Sequence, residues 1–268
     1  MSIATITTGD GCDIAFRIDG PSAATVLLLS NSLGTDMSLW DDQIPLFSQF
    51  LRVLRYDTRG HGRSGTPQGA YGIDRLGRDA LELLDALQVD RAHVCGVSLG
   101  GMIAQWLGAR TPERVLSLAI CNSSALMAPP SAWDERIRVV LAQGMVAIVD
   151  GTIERWFTPA YRESLSIKLE QISASLLNTS PVGYAGCCAA IRDMDLRAVL
   201  DKIAAPTLVI AGTADPATPL WHSELLARSI ANARLVMLPA AHLSNLECAA
   251  EFGKHVLASV LDRPVYKL

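Results

Sequence analysis

The sequence predicts a doubly wound α/β fold: a mostly parallel sheet with an N-terminal antiparallel hairpin at its edge and an inserted helical cap. Three observations predict it. Short apolar, β-branched runs recur along the chain with almost no polar alternation, the pattern of strands covered on both faces. Between them, apolar residues recur at three- and four-residue steps, as on one face of a helix. Late in the chain, over residues 123–202, the alternation stops and only helix-like sequence continues.

Taken in order, residues 3–8 and 12–18, with Gly9-Asp10-Gly11 between them, form the hairpin. The buried strands follow as Val26-Leu27-Leu28-Leu29, Arg52-Val53-Leu54-Arg55-Tyr56 and Ala92-His93-Val94-Cys95-Gly96-Val97. Three more are Val115-Leu116-Ser117-Leu118-Ala119-Ile120, Thr207-Leu208-Val209-Ile210 and Leu235-Val236-Met237-Leu238. Ile73, Leu76, Ala80, Leu83, Leu84 and Leu87 make one helical stripe. A second helix covers 102–109 and stops at Thr111-Pro112. Strand–helix alternation with right-handed crossovers gives a parallel sheet. The division expected is a core of residues 1–122 and 203–268 with a cap of residues 123–202. The cap lies over the carboxyl ends of the strands, where open α/β sheets bind ligands.

Length and composition suit one soluble domain: 268 residues, 50% apolar and 19% charged. A net charge of −4 without a basic run gives no reason to expect nucleic acid. The six cysteines lack metal-ligand spacing, and Cys187 and Cys188 are adjacent, so free thiols in a reducing compartment are expected. The N-terminus has no basic segment leading into an apolar one, and no apolar run is long enough for a bilayer. A cytoplasmic protein with no membrane partner is expected; the oligomeric state is open.

Gly96-Val97-Ser98-Leu99-Gly100 stands between an apolar strand and a helix that starts with Gly100-Gly101. This is the strand–turn–helix setting of a nucleophile elbow, with Ser98 as the nucleophile. The turn is strained, so the residues two positions away must be small. The helix start brings free N–H groups and positive dipole to a developing oxyanion.

A serine nucleophile needs a base, and the base an orienting acid. After an elbow of this kind the acid and then the base follow in the chain. Of five histidines, His61 and His93 precede Ser98, His222 begins a helix and His255 lies inside one. His242 alone directly follows a late strand, and it is the expected base. Asp215 follows the strand before it and is the expected acid. Asn122 occupies the other strand end where an acid could stand, but it carries no charge; Asp57 ends a strand too early. The oxyanion donors expected are the backbone N–H groups of Leu99 and of Leu33, with Ser32 as the alternative to Leu33. The Arg59-Gly60-His61-Gly62 loop reads as architectural.

These segments resemble the α/β-hydrolase superfamily over nearly the whole chain. Within it, Ser30-Asn31-Ser32-Leu33-Gly34-Thr35, Trp40-Asp41-Asp42-Gln43 and Arg55-Tyr56-Asp57-Thr58-Arg59-Gly60-His61-Gly62 are similar to the 3-oxoadipate enol-lactonases. So are Cys95-Gly96-Val97-Ser98-Leu99-Gly100-Gly101-Met102 and Ala211-Gly212-Thr213-Ala214-Asp215. Many members open the oxyanion loop with His-Gly; Asn31-Ser32 stands here, as in the lactonase group. The resemblance implies the α/β-hydrolase fold, the Ser98, Asp215 and His242 triad and no cofactor or metal. It also implies a small anionic lactone as substrate, opened to 3-oxoadipate.

A carboxylate entering an apolar pocket needs a cation or donor. The expected source is the cap, through Arg136, Arg138, Arg155, Arg162 or Arg192, or the Trp133 indole N–H. Competing activities on the same residues are a general carboxylesterase, a cofactor-free perhydrolase and a C–C bond hydrolase of ring-fission products. A small-molecule receptor on a hydrolase scaffold is the alternative of a different class.

Overall fold

The computed structural model describes residues 3–164 and 167–262. Within them eight strands form one sheet: β1 (Ala4–Thr7), β2 (Asp13–Asp19), β3 (Val26–Ser30), β4 (Arg52–Tyr56), β5 (Ala92–Val97), β6 (Val115–Cys121), β7 (Thr207–Gly212) and β8 (Ala233–Leu238). Their order is β1-β2-β4-β3-β5-β6-β7-β8. β1 and β2 form the antiparallel hairpin, β2 runs antiparallel to β4, and every pairing from β4 to β8 is parallel. The central strands are buried on both faces, which is why they read as unbroken apolar runs.

Parallel pairing puts the carboxyl ends of the strands on one side. Ser30 pairs with Gly96 at the ends of β3 and β5, and Cys121 pairs with Ile210 at the end of β6. The loops after β3, β5, β6, β7 and β8 therefore open towards the same face.

α1 (Ile44–Phe47), α2 (Ile73–Ala86) and α3 (Leu99–Arg110) precede β6. α2 buries its stripe of Leu76, Ala80, Leu83 and Leu84. α3 is buried on all sides from Leu99 to Ala109, so it has no polar face to mark its period. Among the described residues five α-helices lie between β6 and β7: α4 (Pro130–Gln143), α5 (Val149–Trp156), α6 (Pro159–Ser164), α7 (Ile167–Asn178) and α8 (Pro181–Asp193). Proline opens α4, α6 and α8, where its missing N–H costs nothing. The two stems of this helical insertion meet in a bridge between Leu126 and Asp195. Residues Arg197–Lys202 then form a short 3-10 helix against α3. α9 (Leu220–Ser229) lies between β7 and β8, and α10 (Ser244–Glu247) and α11 (Ala249–Val260) follow β8.

The insertion is fastened to the loops beneath it. Tyr71 N donates to Gly186 O at 3.1 Å, Ser175 Oγ to Asp36 at 2.8 Å, and Lys168 pairs with Asp42 at 2.8 Å. Buried Arg59 joins Asp79 of α2 to Asp10 of the hairpin turn. All six cysteines are free, five of them buried. Among the described residues no helix is long and apolar enough to cross a membrane.

Candidate active site

Ser98 sits between β5 and α3 with φ +57° and ψ −114°, a conformation that costs a non-glycine residue about 1–3 kcal/mol. The surroundings hold it there. Its N–H donates to Cys121 O at 2.9 Å, and its carbonyl accepts from Ser123 Oγ at 2.8 Å. A side chain at Gly96 would collide with the Gly100 carbonyl, and one at Gly100 with the Ser30 carbonyl. The small residues that flank the serine are thus required by backbone closeness.

Ser98, Ser32, Leu33 and His242 line one cavity under the insertion. His242 follows β8, and its Nδ1 lies 2.8 Å from Asp215 Oδ2, both side chains being buried. Donation from Nδ1 to the carboxylate fixes the tautomer and leaves Nε2 as the ring acceptor. Asp215 follows β7 and is saturated with donors. Oδ1 accepts from Ala217 N at 2.8 Å and Thr218 N at 3.0 Å. Oδ2 also accepts from Thr218 Oγ1 at 2.6 Å and Asn122 Nδ2 at 3.0 Å. Burial pushes this carboxyl up, but the His242 charge and the hydrogen bonds of His242 and Thr218 outweigh it. The group is held well below the usual carboxylate range. An imidazole oriented in this way can take a proton from a serine hydroxyl and carry the resulting charge.

Sequence reasoning passed over Asn122 because it cannot ionise. Its Nδ2 also donates to Ala241 O at 3.1 Å, while its Oδ1 accepts from Ser244 Oγ. It therefore ties the Asp215 carboxylate to the backbone beside His242. The signal was a polar residue directly after a strand end; its role as a donor depends on loops far along the chain. Thr218 was missed for a similar reason, being an ordinary turn residue in sequence.

The amide of Leu99 is the first of α3 and has no acceptor within its own helix. Leu33 lies in a turn closed by Thr35 N on Ser32 O at 3.2 Å. The next amide, Gly34 N, donates to His61 Nε2 at 2.9 Å, and His61 Nδ1 faces Arg59 O at 3.2 Å. Burial pushes the His61 imidazole down to about 4, so it stays neutral and keeps accepting from Gly34. The Arg59–Gly62 loop is thus the prop beneath the Leu33 turn.

The arginines of the insertion separate clearly. Arg136 and Arg155 line the cavity. Arg136 lies over the Trp133 ring, 5.4 Å from its centroid, and reaches Tyr184 OH at 3.4 Å. Arg155 donates to Thr152 Oγ1 at 3.1 Å. Neither is ion-paired with a carboxylate among the described residues. Burial pushes the Arg155 guanidinium down, and the Arg136 charge adds to this. Arg138 is not at the cavity; it is exposed and paired with Glu135. Two residues on from Arg136, it points to the far side of α4. Arg192 pairs with Asp134 and Asp193 beside a different cavity, and Arg162 on α6 is not in the wall. Trp133 lines the cavity, but its indole N–H is engaged by Met127 O at 3.2 Å, so it is not a free donor. Among the described residues no cluster of three or more His, Cys, Asp or Glu side chains is arranged to hold a metal.

Comparison with known proteins agrees with this architecture. The family described as alpha/beta hydrolase fold matches residues 25–160, and one described as TAP-like protein matches residues 182–249. The 3-oxoadipate enol-lactonase 2 of Acinetobacter baylyi is 41% identical over 244 residues, 91% of each chain. The crystal structure of a hydrolase from Pseudomonas aeruginosa superposes with a TM-score of 0.94 at 48% identity, covering 96% of this chain and 98% of that one. The enol-lactonase from Burkholderia xenovorans does so with a TM-score of 0.95 at 40% identity, covering 96% and 100%. The chain belongs to the α/β-hydrolase superfamily, as a serine hydrolase closely related to the 3-oxoadipate enol-lactonases.

Proposed function

We propose that the protein hydrolyses 3-oxoadipate enol-lactone to 3-oxoadipate, in the 3-oxoadipate branch of aromatic catabolism, with Ser98, His242 and Asp215 as its triad. The observation that carries this reading is the pair of cavity arginines, Arg136 and Arg155, which share the wall with Ser98 and His242 and lack a carboxylate partner among the described residues. Two such cations suit a small carboxylate-bearing substrate, because an anion there replaces lost hydration with charge-assisted hydrogen bonds. The similarity to enol-lactonases supports the same substrate.

His242 Nε2 takes the Ser98 proton as Oγ bonds to the lactone carbonyl carbon. The oxyanion is held by the N–H groups of Leu99 and Leu33. Collapse breaks the ring C–O bond and leaves an acyl-enzyme. The departing oxygen is an enolate, so it needs less acid assistance than an alkoxide; it takes the proton that His242 holds, which returns the imidazole to its neutral form, and the enol then tautomerises to the ketone. Water then gives a proton to His242 and attacks the acyl carbon. The C–Oγ bond breaks, Ser98 regains its proton, and 3-oxoadipate leaves with a new carboxylate. No step calls on a cofactor.

The test is a substrate panel of enol-lactone, a neutral p-nitrophenyl ester and a ring-fission diketone, each with wild type and Ser98→Ala. The lactone should give the highest kcat/KM, with Ser98→Ala inactive. Preference for the neutral ester would make this a general carboxylesterase, and preference for the diketone a C–C bond hydrolase.

A further inference from the structure

Glu247, the last residue of α10, is a half-buried carboxylate whose two oxygens accept from different parts of the molecule. Oε2 takes the amide of Ala241, the residue before His242, at 2.7 Å. Oε1 takes the amide of Thr158, which lies between α5 and α6 of the insertion. On the other side of His242, Leu243 N donates to Trp156 O, at the end of α5, at 3.1 Å. Both chain neighbours of His242 are therefore tied to the end of α5, one directly and one through Glu247. α5 is also the helix that places Thr152, Arg155 and Trp156 in the cavity wall.

We propose that Glu247 is a positioning residue that holds the His242 loop in register with the substrate-facing helix α5. This rests on the reading of His242 as the base. Hydrogen bonds from amides to a carboxylate are charge-assisted and stronger than neutral ones, so one side chain can lock two backbone segments. The lock is two-sided at Ala241. Its N–H is held by Glu247 on the insertion side, and its carbonyl by Asn122 on the sheet side. Release of the N–H leaves His242 anchored to Asp215 but free to tilt relative to a ligand held by α5. Displacement of a catalytic group by about 1 Å can cost a hundredfold in rate.

The experiment compares Glu247→Ala, Glu247→Gln, Thr158→Pro and Thr158→Ala with wild type. Each is assayed for kcat and KM on p-nitrophenyl acetate and on enol-lactone, with a thermal melt. Glu247→Gln keeps one acceptor oxygen but turns an NH2 towards the other amide. Thr158→Pro removes the insertion-side N–H together with the hydroxyl that accepts from Tyr161 N at 3.3 Å, and Phe157 before it is already extended, as a residue preceding proline must be. Thr158→Ala controls for the lost hydroxyl. In Glu247→Ala, kcat on p-nitrophenyl acetate should fall about 10- to 100-fold with KM changed less than about twofold. Glu247→Gln and Thr158→Pro should fall in between, and Thr158→Ala should match wild type.

A lowered melting temperature with unchanged kcat would make Glu247 a plain strut and overturn the proposal. So would Thr158→Pro matching Thr158→Ala. If Glu247→Ala does not melt cooperatively, Glu247→Gln and Thr158→Pro carry the test. Ser98→Ala separates the two readings: esterase activity that survives it refutes the proposed triad, whereas its loss beside an unaffected Glu247→Ala refutes the positioning role alone. Absence of lactone turnover refutes the substrate assignment and leaves the p-nitrophenyl acetate comparison intact.

Discussion

His242 Nδ1 and Asp215 Oδ2 stand 2.8 Å apart, and the same oxygen accepts from Thr218 and Asn122. Burial pushes the carboxyl up, yet His242 and Thr218 hold it well below its ordinary value. A depressed carboxylate stabilises the fold above its unfolded pKa, and that contribution is lost only as pH falls through the folded one. Asp215 therefore stays ionised across the working range, and its own ionisation should not appear in the acid limb of kcat/KM. Asp215→Asn should lower kcat by about 1,000- to 10,000-fold, since the amide favours the wrong tautomer. Steady-state kinetics of wild type and Asp215→Asn across pH check both; a variant with wild-type kcat would contradict the assignment.

Asn122→Ala removes the donor that joins Asp215 to the carbonyl of Ala241. It leaves a buried carboxylate and a buried carbonyl each short of a partner, at about 1–3 kcal/mol per group. The expected result is a kcat about tenfold lower with a reduced melting temperature. Kinetics and calorimetry on the same preparation measure the two effects, and a variant with wild-type kcat would show that Asn122 does not orient the acid.

The cavity arginines should act on charge selectivity. Arg136→Met and Arg155→Met each keep much of the apolar stem and remove the cation. For the anionic lactone, kcat/KM should fall about 10- to 100-fold, the loss of one charge-assisted contact. For p-nitrophenyl acetate it should change less than about threefold. Arg138→Met, exposed and outside the cavity, should match wild type on both. Equal losses on neutral and anionic substrates would assign the arginines to structure.

His61 links the fold's stability to the Leu33 turn. Its folded pKa, about 4 through burial, lies below the ordinary histidine value of about 6.5. The unfolded chain takes up the proton first, so stability is lost as pH falls from about 6.5 towards about 4. Glutamine at this position can accept from Gly34 N without titrating. Urea melts at pH 7 and pH 5 should show wild type losing about 2 kcal/mol more than His61→Gln between them. Burial raises Asp57 to about 6, which works in the opposite direction but is common to both proteins. His61→Ala leaves Gly34 N without its acceptor and should lower kcat about tenfold at pH 7; His61→Gln should recover most of it.

The sequence by itself determined the parts of this protein that depend on neighbours along the chain. The apolar runs at 26–29 and 207–210 read as strands buried on both faces, and they lie within β3 and β7; Ser98 with a glycine two places to either side reads as a strand–turn–helix elbow, and it sits between β5 and α3. The order of strand ends also placed Asp215 and His242 on one side of a parallel sheet, because parallel strands share their carboxyl edge. Tertiary structure decided which residues meet from distant positions. Asn122 and Asp215 are 93 residues apart, and Thr158 and Glu247 are 89 apart. No local pattern marks such pairs, since packing of whole elements sets the distance. The same holds for the cation: Arg136 and Arg138 differ by two places on one helix, and only the direction in which α4 packs puts the first in the cavity and the second in solvent.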